Sequence, residues 1–241
     1  IEMTDIQGLG PKTAHRFYYE LEIEDLITLE AALKEGRVQK LKGFGKKSEK
    51  KLLKALKNHE KYVDKINLAK ALKTAGEIIE TIKSEVDSEL YHEIEICGSS
   101  RRAKELTGDL DILIASSQPQ ELSKKLKNLN FTAEVIGAGE TKVSIRTERG
   151  VQTDFRLVSR EEFPSALHYF TGSKAHNVRM RQLAKDRNLK LSEYGLFKDD
   201  GSKENVESEA DIFNILGLEY IIPELRKDQG EIEAAQKGEL P

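Results

Sequence analysis

An α+β protein in three parts is what this sequence predicts: a helical segment over residues 1–62, a mixed β-sheet over 66–160 and a smaller helical part over 161–222, with a polar tail at 223–241. Three observations carry that prediction. Apolar residues recur at helical spacing as far as Leu56, and they do so again from Phe163. Between them, short stretches alternate or run apolar as strands do, separated by glycine turns.

At 241 residues the chain is long enough to bury more than one small core. Charged residues make up 34% and apolar ones 38%, the balance of a globular protein in water. No run is long and apolar enough for a membrane-spanning helix, and no signal-peptide pattern precedes the first helix. The chain starts at Ile1, which suggests a shortened protein. Cys97 is the only cysteine, which excludes an intramolecular disulfide and points to a reducing, cytoplasmic compartment. At the end of a strand, Cys97 reads as a small residue packed under the glycine turn rather than as a nucleophile.

The net charge of −3 excludes a uniformly basic nucleic-acid binder, but the charge is unevenly spread. Arg37 to Lys61 carries ten Lys/Arg against two Glu, and Lys203 to Pro241 carries ten Asp/Glu against four Lys/Arg. One end of the chain is suited to a polyanion.

In the first part, Ile6-Gln7-Gly8-Leu9-Gly10-Pro11-Lys12-Thr13 sets a G-x-G turn before a helix with Pro11 at its first position. Leu41-Lys42-Gly43-Phe44-Gly45-Lys46-Lys47 repeats the arrangement 35 residues on, followed by Leu52, Leu53 and Leu56 at helical spacing, and a further helix is expected over Glu24–Lys34. The two segments resemble a helix-hairpin-helix pair, a module that grips nucleic-acid backbone without reading bases. Gly8, Gly10, Lys12 and Thr13 of the first turn, and Gly43, Gly45, Lys46 and Lys47 of the second, are then the expected DNA contacts, glycine amides and ammonium groups meeting phosphate.

Asn67–Lys83 reads as a long helix with Leu68, Leu72, Ile78, Ile79 and Ile82 on one side, leading into the sheet. Strands are expected at Tyr91–Cys97, Asp109–Ala115, Phe131–Ile136, Lys142–Thr147 and Val151–Val158, with a helix from Pro119 to about Asn128 and a glycine turn at Gly137-Ala138-Gly139. In Asp109-Leu110-Asp111 a strand's period of two puts both carboxylates on one face, where a divalent cation relieves their repulsion. Gly98-Ser99 with Arg101-Arg102 upstream supplies backbone N–H groups, a hydroxyl and guanidinium forks suited to phosphate. Asp154 lies on a strand able to run beside Asp109-x-Asp111 and complete a three-carboxylate site, or else it is a strand-end cap.

From Phe163 the pattern turns helical, and Tyr169-Phe170-Thr171-Gly172-Ser173 breaks one helix and opens the next. A short strand pair follows at Lys190–Phe197, and Ser208–Leu216 is the last clear helix before a tail expected to be loosely ordered. The five histidines form no zinc pattern, and no P-loop occurs.

Taken in order and at their spacing, Gly98-Ser99 with Arg101-Arg102, Gly108-Asp109-x-Asp111, the strand with Asp154, and Tyr169-Phe170-Thr171-Gly172-Ser173 with Asn177 and Arg181 make the chain resemble the polymerase core of the family X DNA polymerases, of the bacterial and archaeal type. The resemblance implies a helix-hairpin-helix domain, a nucleotidyltransferase-type mixed-sheet palm and a helical nucleotide-selecting domain. It implies that Asp109, Asp111 and Asp154 bind two Mg2+ ions, replaceable by Mn2+, with Asp154 activating the primer 3′-hydroxyl. Gly98, Ser99, Arg102 and the Gly108 backbone are the implied triphosphate contacts. Tyr169 and Phe170 would crowd the sugar 2′ position, Gly172 would admit the sugar and base, Asn177 would reach the minor-groove edge of the base, and Arg181 would lie against the template. Ordinary core packing is the other reading of Tyr169 and Phe170.

The implied partners are gapped or primer-template DNA and dNTPs, bound by a monomer that touches no membrane. The chain as given includes neither the lyase-like domain that commonly precedes this core nor the histidine-rich phosphoesterase domain that often follows it, so lyase and 3′-exonuclease activities are not expected of it. Gln152 departs from the arginine that animal members often have two residues before the third aspartate. A template-independent nucleotidyltransferase and a catalytically silent DNA-binding scaffold are the competing expectations.

Overall fold

The computed structural model describes residues 3, 6, 8–62 and 65–241, without the side chains of 57–62. Gln7 of the first turn and the side chains of His59 and Lys61 therefore lie outside the described residues. The chain divides into two compact units, Ile1–Asp64 and Lys65–Pro241.

The first unit holds α1 (Pro11–Leu21), α2 (Leu26–Lys34), a 3-10 turn at Val38–Lys40 and α3 (Lys46–Tyr62). Asp25 starts α2 with a capping box: its carboxylate accepts the Thr28 N–H at 2.7 Å, and the Thr28 hydroxyl accepts the Asp25 N–H at 3.0 Å. Phe17, Leu29, Ala32, Val38 and Leu56 close the core around these helices. The two glycine turns are built alike. Leu9 N–H donates to the Ile6 carbonyl at 3.0 Å and Phe44 N–H to the Leu41 carbonyl at 2.9 Å, each across a glycine at positive φ, Gly8 at 92° and Gly43 at 96°.

In the second unit, a two-residue strand β1 (Ile66–Asn67) leads into α4 (Leu68–Glu85), where the Asn67 side chain accepts the Lys70 N–H at 2.9 Å. Then come β2 (Glu93–Ile96), the single helical turn α5 (Gly98–Arg101), β3 (Leu106–Thr107), β4 (Asp109–Ala115), α6 (Pro119–Leu126), β5 (Thr132–Ala138), β6 (Lys142–Thr147) and β7 (Gln152–Val158). The five-stranded sheet runs β2-β4-β7-β6-β5, with β4 and β7 parallel and the other neighbours antiparallel. Leu110, Ile112 and Ile114 of β4 share a core with Ala71, Ala75, Ile78 and Ile82 of α4 and Leu122 and Leu126 of α6. Leu72, expected on the buried side of α4, is exposed, because the small residues Ala71 and Ala75 form the close-packed stripe. Gly137 and Ala138, expected in a turn, continue β5, whose pairing with β6 absorbs irregularities in register.

The rest is α7 (Phe163–Thr171), α8 (Lys174–Lys185), the ribbon β8 (Leu189–Ser192) with β9 (Gly195–Lys198), α9 (Glu209–Ile215), a 3-10 turn at Pro223–Leu225 and α10 (Glu231–Lys237). The segment expected to be a loose tail is folded: Ile232 and Ala235 of α10 are buried with Met180 and Ala184 of α8 and with Phe213. Its few apolar residues share one face of a two-turn helix, too short a signal to stand out in a polar stretch.

Candidate active site

Strand β4 alternates its side chains across the sheet, so the face opposite the α4/α6 core receives Asp109, Asp111, Leu113 and Ala115. Leu113 and Ala115 are covered by Phe163 and Ala166 of α7 together with Cys97, which leaves the two aspartates at the uncovered end. Burial pushes the Cys97 thiol far up, consistent with a packing residue. Because β7 runs parallel to β4, Asp154 pairs in register with Asp111, and Gln152 with Asp109. Register partners on parallel strands face the same way, so the three carboxylates share one patch.

Desolvation, followed by the charges of Asp109 and Asp154, pushes Asp111 up to about 6. Desolvation and then Asp154 raise Asp109 as well. Asp154 is buried, with Lys142 Nζ 2.6 Å from its Oδ2 and Gln152 Nε2 3.4 Å from its Oδ1. Among the described residues, no group of three His, Cys, Asp or Glu side chains is gathered closely enough to ligate a metal as it stands. The donor set nevertheless fits a hard divalent cation: three carboxylates on one face, two of them with their ionised forms disfavoured by desolvation and then by the neighbouring carboxylates. Lys142 pairs with the patch through Asp154, and the Arg156 charge also favours ionised Asp111.

The turn after β2 carries the phosphate-type segment. Cys97 N–H donates to the Asp111 carbonyl at 2.8 Å, which draws the following residue against the aspartate. Gly98 has φ 62°, and a β-carbon there would stand 2.1 Å from Asp111 Oδ2. The Ser99 and Thr107 hydroxyls share a hydrogen bond, and Thr107 donates to the Asp109 carbonyl at 2.8 Å. Gly108 directly precedes β4, with no atom within 4 Å of its β-carbon position.

The two arginines part company. Arg102 lines the cleft and donates to the Thr171 carbonyl. Arg101, expected beside it as phosphate equipment, turns away: it forks onto Glu209 at 3.0 and 2.9 Å and donates to the Thr171 hydroxyl at 2.7 Å. Glu209 also takes Arg226 Nη1 at 2.5 Å and the Tyr220 hydroxyl at 2.9 Å. Although its own burial opposes ionisation, Glu209 is held down at about 2 by hydrogen bonds from Arg226 and Arg101.

Opposite the aspartates, the end of α7 and the start of α8 form the other wall. Tyr169, Phe170, Gly172, Asn177 and Arg181 line the same cleft as Gly98, Ser99, Arg102, Asp109 and Asp111. Tyr169 and Phe170 meet edge to face at 5.2 Å, both half-buried at the cleft, and Phe170 also packs against the core of Leu113, Ala115, Phe163 and Ala166. Gly172, at φ 69°, passes Arg102 closely, its β-carbon position 3.1 Å from Nη1. One of the two Asn177 Nδ2 N–H groups donates to the Tyr169 carbonyl at 2.7 Å, which leaves the other as a donor, and its buried Oδ1 has no hydrogen-bond partner.

Gly8, Gly10, Lys12, Thr13, Gly43, Gly45, Lys46 and Lys47 lie at the two turns of the first unit. All four glycines have open space where a side chain would stand. Sequence reasoning missed Lys142 against Asp154, Lys174 in the cleft wall, Thr107 under Ser99, and Glu209 with Arg226. None of these has a local motif; only their positions across the fold reveal them.

Residues 1–58 match the family description "SAM-like Helix-hairpin-helix tandem", 69–154 "DNA polymerase beta palm" and 166–227 "DNA polymerase beta thumb". The chain is 40% identical over 238 residues to the DNA polymerase/3′-5′ exonuclease PolX of Bacillus subtilis (strain 168), covering 97% of this chain and 41% of that relative. It thus spans about two fifths of that protein's length. It is 31% identical over 144 residues to the repair DNA polymerase X of African swine fever virus, covering 57% of this chain and 83% of the viral protein. The fold matches that of Leishmania infantum polymerase beta in a ternary primer-template complex, with a TM-score of 0.68, 23% identity and coverage of 93% of this chain and 96% of the other. No described helix is long and apolar enough to cross a membrane. Identity at this level over most of the viral enzyme, with palm and thumb matched in order around the aspartate patch, means that the chain belongs to the family X DNA polymerases.

Proposed function

We propose that this chain is a template-directed DNA polymerase core that fills short gaps during repair. The observation that carries this reading is the in-register pair Asp111 and Asp154, with Asp109 on the same face, at a cleft whose other wall is Tyr169, Phe170 and Gly172. Held by the three carboxylates, two Mg2+ ions would lower the pKa of the primer 3′-hydroxyl and neutralise the triphosphate and the departing pyrophosphate.

The chain's own groups do the rest. The Gly98 backbone, the Ser99 hydroxyl, the Gly108 backbone and the Arg102 guanidinium hold the triphosphate, with Thr107 orienting Ser99 and the Thr171 carbonyl orienting Arg102. Asp154 serves the primer hydroxyl, steadied by Lys142 and Gln152. Tyr169, Phe170 and Gly172 bound the space for sugar and base, Asn177 reaches the minor-groove edge of the base with the second N–H of its amide, and Arg181 faces the template strand. In the first unit, the amides of the two glycine turns and Lys12, Lys46 and Lys47 take DNA phosphates, so binding weakens with salt.

On this reading residues 1–62 are the DNA-gripping domain, 66–160 the palm and 161–222 the nucleotide-selecting domain, acting as a monomer in the cytoplasm on gapped DNA and dNTPs. Single-nucleotide gap filling with Mg2+ tests it. Template-matched incorporation by the wild type and none by Asp154→Ala is the expected result. Incorporation indifferent to the template base would favour a template-independent transferase, and bound DNA without any incorporation would favour a scaffold.

A further inference from the structure

Residues 228–241 lie beyond the stretch matched to the thumb description, yet they grip the helix that carries Asn177 and Arg181. Buried Glu231 opens α10 by accepting the Asp228 N–H at 2.8 Å and the Gln229 N–H at 2.7 Å. The same carboxylate stands 2.8 Å from Nδ1 of His176, which is fully buried in the first turn of α8 and directly precedes Asn177. A carboxylate can only accept, so Nδ1 carries the proton and donates. Burial disfavours the charged ring, which makes this a hydrogen bond rather than an ion pair.

Three further contacts fall on the same side of α8. The Ser173 N–H donates to the Arg226 carbonyl at 3.3 Å, and Arg179 pairs with Glu233 and with Asp228, the latter at 3.6 Å. Met180 and Ala184 pack with Ile232 and Ala235 below them. Residues 176, 179 and 180 thus follow one helical stripe into the C-terminal segment, while 177 and 181, four apart, follow the adjacent stripe into the cleft.

We infer that Glu231, acting through His176, is a positioning residue that fixes the rotation of α8 and thereby how tightly the incoming nucleotide is held. Without its carboxylate, the His176 N–H and two backbone N–H groups of the α10 start lose their acceptor, and the first turn of α8 is no longer pinned opposite the cleft. The effect on the nucleotide rests on the polymerase reading, whereas the positioning of α8 does not.

The experiment compares wild type, Glu231→Leu and Glu231→Gln in single-nucleotide gap filling, in melting, and in amide exchange over α8. Glu231→Leu is expected to raise the KM for the matched dNTP about fivefold while kcat stays within about twofold, and to speed exchange at residues 174–181. Gln, which still accepts from Nδ1, should restore both. If Glu231→Leu does not fold, Arg179→Ala at the exposed end of the same stripe should give about a twofold rise in KM with the same exchange signature. Wild-type kinetics and exchange with only a lower melting temperature would overturn the inference. Should the wild type incorporate nothing, the polymerase reading fails, and exchange over α8 still decides this one.

Discussion

A β-carbon on Gly98 would stand 2.1 Å from Oδ2 of Asp111. The two residues are drawn together by the Cys97 N–H bond to the Asp111 carbonyl and by the positive φ of Gly98. Gly98→Ala therefore meets both a clash and a strained backbone, a cost of about 1–3 kcal/mol. The expected outcome is a folded protein of lower melting temperature whose gap filling falls at least a hundredfold, because the carboxylate itself must move; near-normal incorporation would contradict this.

Asp111, raised to about 6, makes the metal-free protein less stable as pH rises. Between its unfolded value near 4 and its folded value near 6, the folded state binds more protons than the unfolded one, so stability falls across that window. Without divalent ions, Asp111→Asn should be more stable than wild type above pH 6, by about 1–3 kcal/mol, and indistinguishable below about pH 4. Denaturant melts at a series of pH values in EDTA read this directly. Added Mg2+ should shrink the difference at high pH by relieving the repulsion.

Glu209 neutralises Arg101 and the fully buried Arg226. Glu209→Leu strands the Arg226 charge and should cost about 3–5 kcal/mol in urea unfolding. The double variant Glu209→Leu/Arg226→Met should recover a large part of that loss. With its folded value held at about 2, Glu209 contributes stability that is present above its unfolded value near 4.5 and is lost as pH falls toward 2.

The four turn glycines of the first unit separate into two kinds. Gly8 and Gly43 have positive φ, so alanine there strains the turn and should destabilise by about 1 kcal/mol. Gly10 and Gly45 lack positive φ, and their β-carbon positions meet no atom within 4 Å. Alanine at either should leave stability unchanged or raise it by about 0.4–1 kcal/mol. Binding of gapped DNA should nevertheless weaken, since the added methyl group holds phosphate away from the turn amides. Melting and fluorescence anisotropy on the same variants check both halves.

Much of the molecule is legible before folding. The two glycine turns 35 residues apart, the apolar periodicity of α4, the alternation that puts Asp109 and Asp111 on one face and the break at Gly172-Ser173 are all local, and short-range backbone geometry settles them. A strand has period two whatever surrounds it, so the aspartate pair could be read as a cation site from three residues. What only the tertiary structure decided is non-local. Parallel pairing of β4 with β7 put Asp154 opposite Asp111 rather than at a strand end, and β6 brought Lys142 to the same carboxylate. Arg101 and Arg102 are adjacent and chemically identical, yet one serves the cleft and the other a buried carboxylate 108 residues away. The C-terminal segment is polar enough to read as loose, and it orders because α8 and Phe213 supply the apolar surface its few apolar residues need. Local propensity comes from the chain's own stereochemistry, whereas partners distant in sequence exist only once a packed core brings them within a few ångströms of each other.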